Sequence, residues 1–148
     1  MALNTAGQNM QMQDRKIEKT VCQRTLKDVA ELTGIGLHSG SPVTLRLRPA
    51  PADHGILFHR TDVAEDGAVA ARWDRVHDTR MCSAVANEDG VSVGTVEHLM
   101  AALAGCGIDN ALIELDGPEV PAVDGSSQPF VDMIRKVGVV ELAADRRV

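Results

Sequence analysis

The chain has 148 residues, 44% of them apolar and 2% aromatic, with 15 Lys and Arg against 21 Asp and Glu for a net charge of −6. That length holds one domain of ordinary size, and that apolar content builds a packed core, which excludes disorder throughout. The acidic balance argues against a nucleic-acid protein, because phosphate binding needs a basic face, and no apolar run nears the ~18 residues of a membrane span.

Residues 1–20 open with a polar stretch that lacks a sustained period, and they read as a mobile extension without a signal-peptide pattern. Residues 23–32 fit two periods at once. Leu26 and Ala30 suit a helix, whereas Leu26, Ala30 and Leu32 also suit alternation, so helix and strand both stay open. Residues 34–40 are punctuated by Gly34, Gly36 and Gly40 and predict a bend. In residues 43–48, Val43, Leu45 and Leu47 line one face and Thr44, Arg46 and Arg48 the other, which predicts a half-buried strand ended by Pro49 and Pro51. A short strand is predicted over 55–60, and 69–76 fits either state.

Thr95 is read as the cap of a helix over 96–104, with Gly105 at its C-terminal cap. Val96, Leu99, Met100 and Leu103 repeat at the spacing of a core-facing stripe. A strand follows over 110–116. The last helix begins after Ser126 and Ser127, with Pro129 in its first turn, Phe130, Met133, Ile134 and Val137 as its stripe, and Gly138 at its end. Several strands, two amphipathic helices and no βαβ rhythm predict an α+β fold: a two-layer domain, mostly antiparallel sheet, with both helices packed on one face.

On a wheel of about 100° per residue, His98 falls opposite the apolar stripe of the first helix and Glu97 lies off its flank. Ala101 and Ala102, one turn on, have no bulk to cover the pair. A carboxylate beside an imidazole can serve a metal and a water, and the helix N-terminus favours an ionised Glu97 as proton acceptor. Spacing alone favours the plainer reading, a dipole-aiding Glu beside a solvated His. Catalytic zinc takes about three protein ligands plus water, and there is no HExxH, no HxxxH and no Cys pair. His54, His59 and His77 read as surface groups, and Asp124-Gly125-Ser126-Ser127 as turn and cap chemistry. Three cysteines without a CxxC argue for a reducing compartment. Cys82, taken by itself, reads as a small buried hydrophobe.

Five strings occur together: Thr95-Val96-Glu97-His98-Leu99-Met100-Ala101-Ala102-Leu103, Gly34-Ile35-Gly36-Leu37-His38-Ser39-Gly40, Pro118-Glu119-Val120-Pro121-Ala122-Val123-Asp124-Gly125-Ser126, Leu47-Arg48-Pro49-Ala50 and His77-Asp78-Thr79. Together they resemble the N-terminal half of the UDP-3-O-acyl-N-acetylglucosamine deacetylases, zinc amidases of the committed step of bacterial lipid A synthesis. The match runs from about Val21 to the C-terminus. Each string alone is modest, and the combination carries the resemblance.

The resemblance implies two similar domains, each a sheet with two helices on one side, with the active site between them. Residues 21–148 correspond to the first domain, and residues 23–32 become a strand. Glu97 matches the general base and His98 a zinc ligand. Leu37, His38, Met81 and Cys82 match positions near the site or its acyl passage. The implied reaction is metal-assisted hydrolysis of the N-acetyl group of a UDP-linked acylated amino sugar in the cytoplasm, with Zn2+ lowering the pKa of its water and Glu97 taking the proton. The family's remaining zinc ligands, a His and an Asp, lie in the second domain, and this sequence has no substitute for them. The implied chain is one half of an enzyme, inactive alone, whether as fragment, truncated product or split half. The alternative is a catalytically silent binding module that meets a partner through the same face.

Overall fold

The alternation of residues 43–48 sits at the centre of the observed architecture. The computed structural model describes residues 20–147, and the expected extension lies outside them apart from Thr20. In chain order the strands are β1 (Cys22–Leu26), β2 (Ala30–Ile35), β3 (Pro42–Pro49), β4 (Ile56–Arg60), β5 (Ala68–Ala70), β6 (Val76–Asp78), β7 (Ala84–Ala86) and β8 (Ser92–Val93). Helix α1 (Glu97–Gly105), β9 (Ala111–Leu115), α2 (Gln128–Val137) and β10 (Val139–Asp145) complete the fold.

The main sheet has the order β2-β3-β9-β4-β5. Its pairings are antiparallel except β4 with β9, which run parallel from Ile56 beside Ala111 to Arg60 beside Leu115. Val43, Leu45 and Leu47 are buried as the alternation requires, and Ala111, Ile113 and Leu115 of β9 face the same way. These side chains join Phe58, Val69, Leu99, Leu103, Phe130 and Ile134 in one core. Both helices therefore cover a single face of the sheet. Each fully buried Leu, Ile or Phe contributes roughly 1.5–3 kcal/mol. The other face carries charge: Arg48 Nε donates to Glu114 at 2.8 Å and Arg46 Nε to Glu31 at 2.9 Å.

Two smaller sheets complete the layer. β1 pairs β10 antiparallel, and β6-β7-β8 form a three-stranded ribbon. Residues 23–32 are thus two strands in different sheets. The break falls at Lys27–Val29, where Asp28 Oδ1 accepts the Val29 N–H at 2.7 Å and Lys27 N–H bonds Gly138 O at 2.9 Å. Residues 69–76 divide between β5, a short 3-10 turn at Trp73–Arg75 and the start of β6. Among the described residues no helix is long and apolar enough to cross a membrane.

The start of α1 corrects the sequence reading, whereas α2 begins after Ser126 and Ser127 as expected. Val96, not Thr95, takes the N-cap position of α1, and no side chain caps it. At α2, Ser127 holds the cap position without a side-chain bond. Ser126 Oγ instead accepts the Gln128 N–H at 3.1 Å. At the other end of α1 the helix runs through Gly105 and turns at Gly107, whose φ of 69° is the left-handed conformation glycine permits. Gly138 ends α2 as expected, with φ 88°.

Candidate functional site

Glu97 and His98 occupy the first turn of α1, and both are half-buried. Glu97 Oε2 accepts the backbone N–H of Ser83 at 3.1 Å, which fixes the carboxylate against the segment leading into β7. The helix N-terminus also favours its negative charge. His98 lies near the turn at Asp124. That carboxyl is held below the usual range by the Ser126 hydroxyl and then the Ser126 N–H, and charge on the His98 ring adds to the effect. Of the two alanines expected to leave the pair uncovered, Ala101 is exposed, while Ala102 is buried in the core.

The residue before this turn is strained. Thr95 has φ 54°, a conformation that costs a β-branched residue of order 1–3 kcal/mol. Its surroundings over-determine it. Gly94 N–H donates to Pro118 O at 2.9 Å, Val120 N–H to Gly94 O at 3.0 Å and Val96 N–H to Ser83 O at 3.1 Å. The Thr95 hydroxyl, expected at the helix cap, donates to Glu119 Oε2 at 3.0 Å.

Glu119 is 5% exposed and gathers the site. Its Oε1 accepts the backbone N–H groups of His38 at 2.9 Å and Ser39 at 2.7 Å. His38 Nδ1 lies 3.2 Å from Oε2. Burial pushes this carboxyl up, but the bonds from Ser39 and then His38 outweigh it and bring it down to about 2. The bend expected over 34–40 has its physical reason here. A Cβ on Gly36 would collide with Glu119 Oε1 and Ser39 Oγ.

Of the site residues expected from sequence, His38, Met81 and Cys82 come together, while Glu97 lines a different hollow. His38, Asp78, Arg80, Met81 and Cys82 line an open cleft of about 520 Å³. Glu97 lines a separate apolar hollow of about 250 Å³ with Ser83, Trp73, Val76 and Met100. Met81, in the cleft, is 81% exposed, and Leu37, next to His38 in the chain, is 64% exposed. Cys82 is only half-buried and faces the cleft, unlike the buried hydrophobe expected of it alone. Asp78, clasped by Arg80 through its side chain and backbone, is held well below the usual carboxylate range.

Glu119 and Thr95 are the site members that sequence reasoning missed. Glu119 sits between Pro118 and Val120-Pro121, inside a string already singled out, yet nothing local marks it as buried. Among the described residues no group of three His, Cys, Asp or Glu side chains could hold a metal ion.

The family model for UDP-3-O-acyl N-acetylglycosamine deacetylase matches residues 23–148. A UDP-3-O-acyl-N-acetylglucosamine deacetylase of Shewanella woodyi is 50% identical over 127 residues, and so is one of Shewanella loihica. One of Shewanella baltica is 47% identical over the same length. Each comparison covers 86% of this chain and 42% of the relative. The chain thus spans about two-fifths of the length of the curated relatives it matches.

Proposed function

The chain belongs to the UDP-3-O-acyl N-acetylglycosamine deacetylase family, and from that premise we propose that it supplies one side of the active site of such a deacetylase, acting in the cytoplasm on a UDP-linked acylated amino sugar. The observation that carries this reading is the anchored Glu97, next to His98 at the start of α1. Glu97, held by the Ser83 N–H, is placed to take the proton of the hydrolytic water. Water's oxygen bonds the acetyl carbon, the carbon–nitrogen bond breaks, acetate leaves, and the sugar amine takes up the proton. His98 is the chain's contribution to a zinc site whose other ligands come from outside the described residues. A zinc so completed supplies a Lewis acid for the amide.

Leu37, His38, Met81 and Cys82 are proposed to meet the substrate, the exposed apolar groups facing the acyl chain and His38 facing the sugar. Residues 21–148 are proposed as the first of two domains. A direct test of the metal share is equilibrium dialysis of the chain against zinc. The reading expects weak binding that His98→Ala reduces further. Tight stoichiometric binding would show a complete ligand set and overturn the half-site.

A further inference from the structure

Glu119 is a buried carboxylate with four donors arranged in two pairs. Oε1 takes two backbone N–H groups, from His38 and Ser39, while Oε2 faces Thr95 Oγ1 and His38 Nδ1. The two backbone donors cannot change roles, so they fix which oxygen faces the ring. We infer that Glu119 is a positioning residue that holds His38 as the Nδ1–H tautomer and turns its Nε2, an acceptor, toward the cleft beside Met81 and Cys82.

The chemistry follows from the donor inventory. An ionised carboxylate only accepts, so the Nδ1 facing it must carry the proton. Its low pKa keeps Glu119 ionised. In the neutral ring the other nitrogen is then unprotonated. The ring side chain is 34% exposed and His38 lines the cleft, whereas Nδ1 points at a buried group. Nε2 lies on the opposite edge of the ring. It suits a hydroxyl or amide N–H of a bound amino sugar, and only this last step rests on the deacetylase reading. Thr95 ties the same carboxylate to the start of α1, so one buried group sets both the His38 loop and the approach to Glu97 and His98.

The test begins with long-range 1H–15N spectra of the 148-residue chain in alkaline buffer, where the neutral ring is observed. The wild-type spectrum needs no variant and is expected to show His38 with its proton on Nδ1. Glu119→Gln then makes a sharper demand. Its amide oxygen must stay on the His38 and Ser39 N–H groups, so its NH2 replaces Oε2, donates to Nδ1 and drives the ring to the Nε2–H form. A wild-type ring that is Nε2–H or still doubly protonated overturns the inference, as does a folded Glu119→Gln chain whose ring is unmoved.

Activity tests the second step, using the chain joined to the C-terminal remainder of the Shewanella woodyi deacetylase. Glu119→Gln and His38→Gln should each raise KM about tenfold, as loss of one substrate hydrogen bond would. The double variant should be no worse than either. A KM that stays at the wild-type value while activity falls with the folded fraction makes Glu119 merely structural. If the joined wild-type protein releases no acetate, the deacetylase reading fails, and the ring spectra still decide the tautomer.

Discussion

Thr95 Oγ1 donates to Glu119 Oε2 across 3.0 Å, and this bond links the strained residue before α1 to a carboxylate 24 positions away. The hydroxyl is the residue type that helix starts favour, yet here its bond is tertiary. It joins the α1 approach to the His38 loop through one buried group.

Removing that hydroxyl while keeping the shape is the simplest probe. Thr95→Val retains the β-branched side chain at φ 54° but leaves Glu119 Oε2 with one donor fewer. The expected loss is ~1–3 kcal/mol, read from urea unfolding of the chain. An unchanged midpoint would mean that the bond contributes nothing to holding the strain.

The glycines allow a paired comparison. Gly36→Ala places a methyl group against Glu119 and Ser39, and the backbone must shift to admit it. Its expected cost is ~1–3 kcal/mol. Gly105→Ala meets nothing within 4 Å and lies in the last turn of α1. There alanine should stabilise by up to ~1 kcal/mol. Equal effects at the two positions would contradict the close approach described at Gly36.

Much of the fold was legible. β3 announced itself through alternation at Val43, Leu45 and Leu47, and α2 through Phe130, Met133 and Ile134, because period-two and period-3.6 patterns are local. β10 was not legible. Its partner is β1, with Leu26 opposite Val139, and no local period specifies a pairing across the whole domain. β5 to β8, at two or three residues each, are too short to show one. At the site, Glu97 and His98 were visible as a pair on a helix. Glu119 was not, because a glutamate between prolines reads as surface until Thr95, His38 and Ser39 are brought to it.

Acid sensitivity gives a further expectation. Glu119 falls from an ordinary 4.5 to about 2 on folding. The unfolded chain therefore binds the proton more readily, so this group's stabilisation is full above about 4.5 and is lost as pH falls toward 2. Asp78 and Asp124 are lowered too and act in the same direction. The stability difference between wild type and Glu119→Gln isolates the Glu119 share. That difference should shrink as pH falls through this window, and a constant difference would refute the assignment.

The most direct measurement of the central claim is acetate release from UDP-3-O-acyl-N-acetylglucosamine by the chain joined to the remainder of the Shewanella woodyi relative, beside the chain alone. The half-site account predicts activity in the joined protein, none in the chain alone, and a fall of ~10²–10⁴-fold in kcat for Glu97→Ala at unchanged folding. Turnover by the chain alone, or a joined Glu97→Ala protein as fast as its parent, would contradict it.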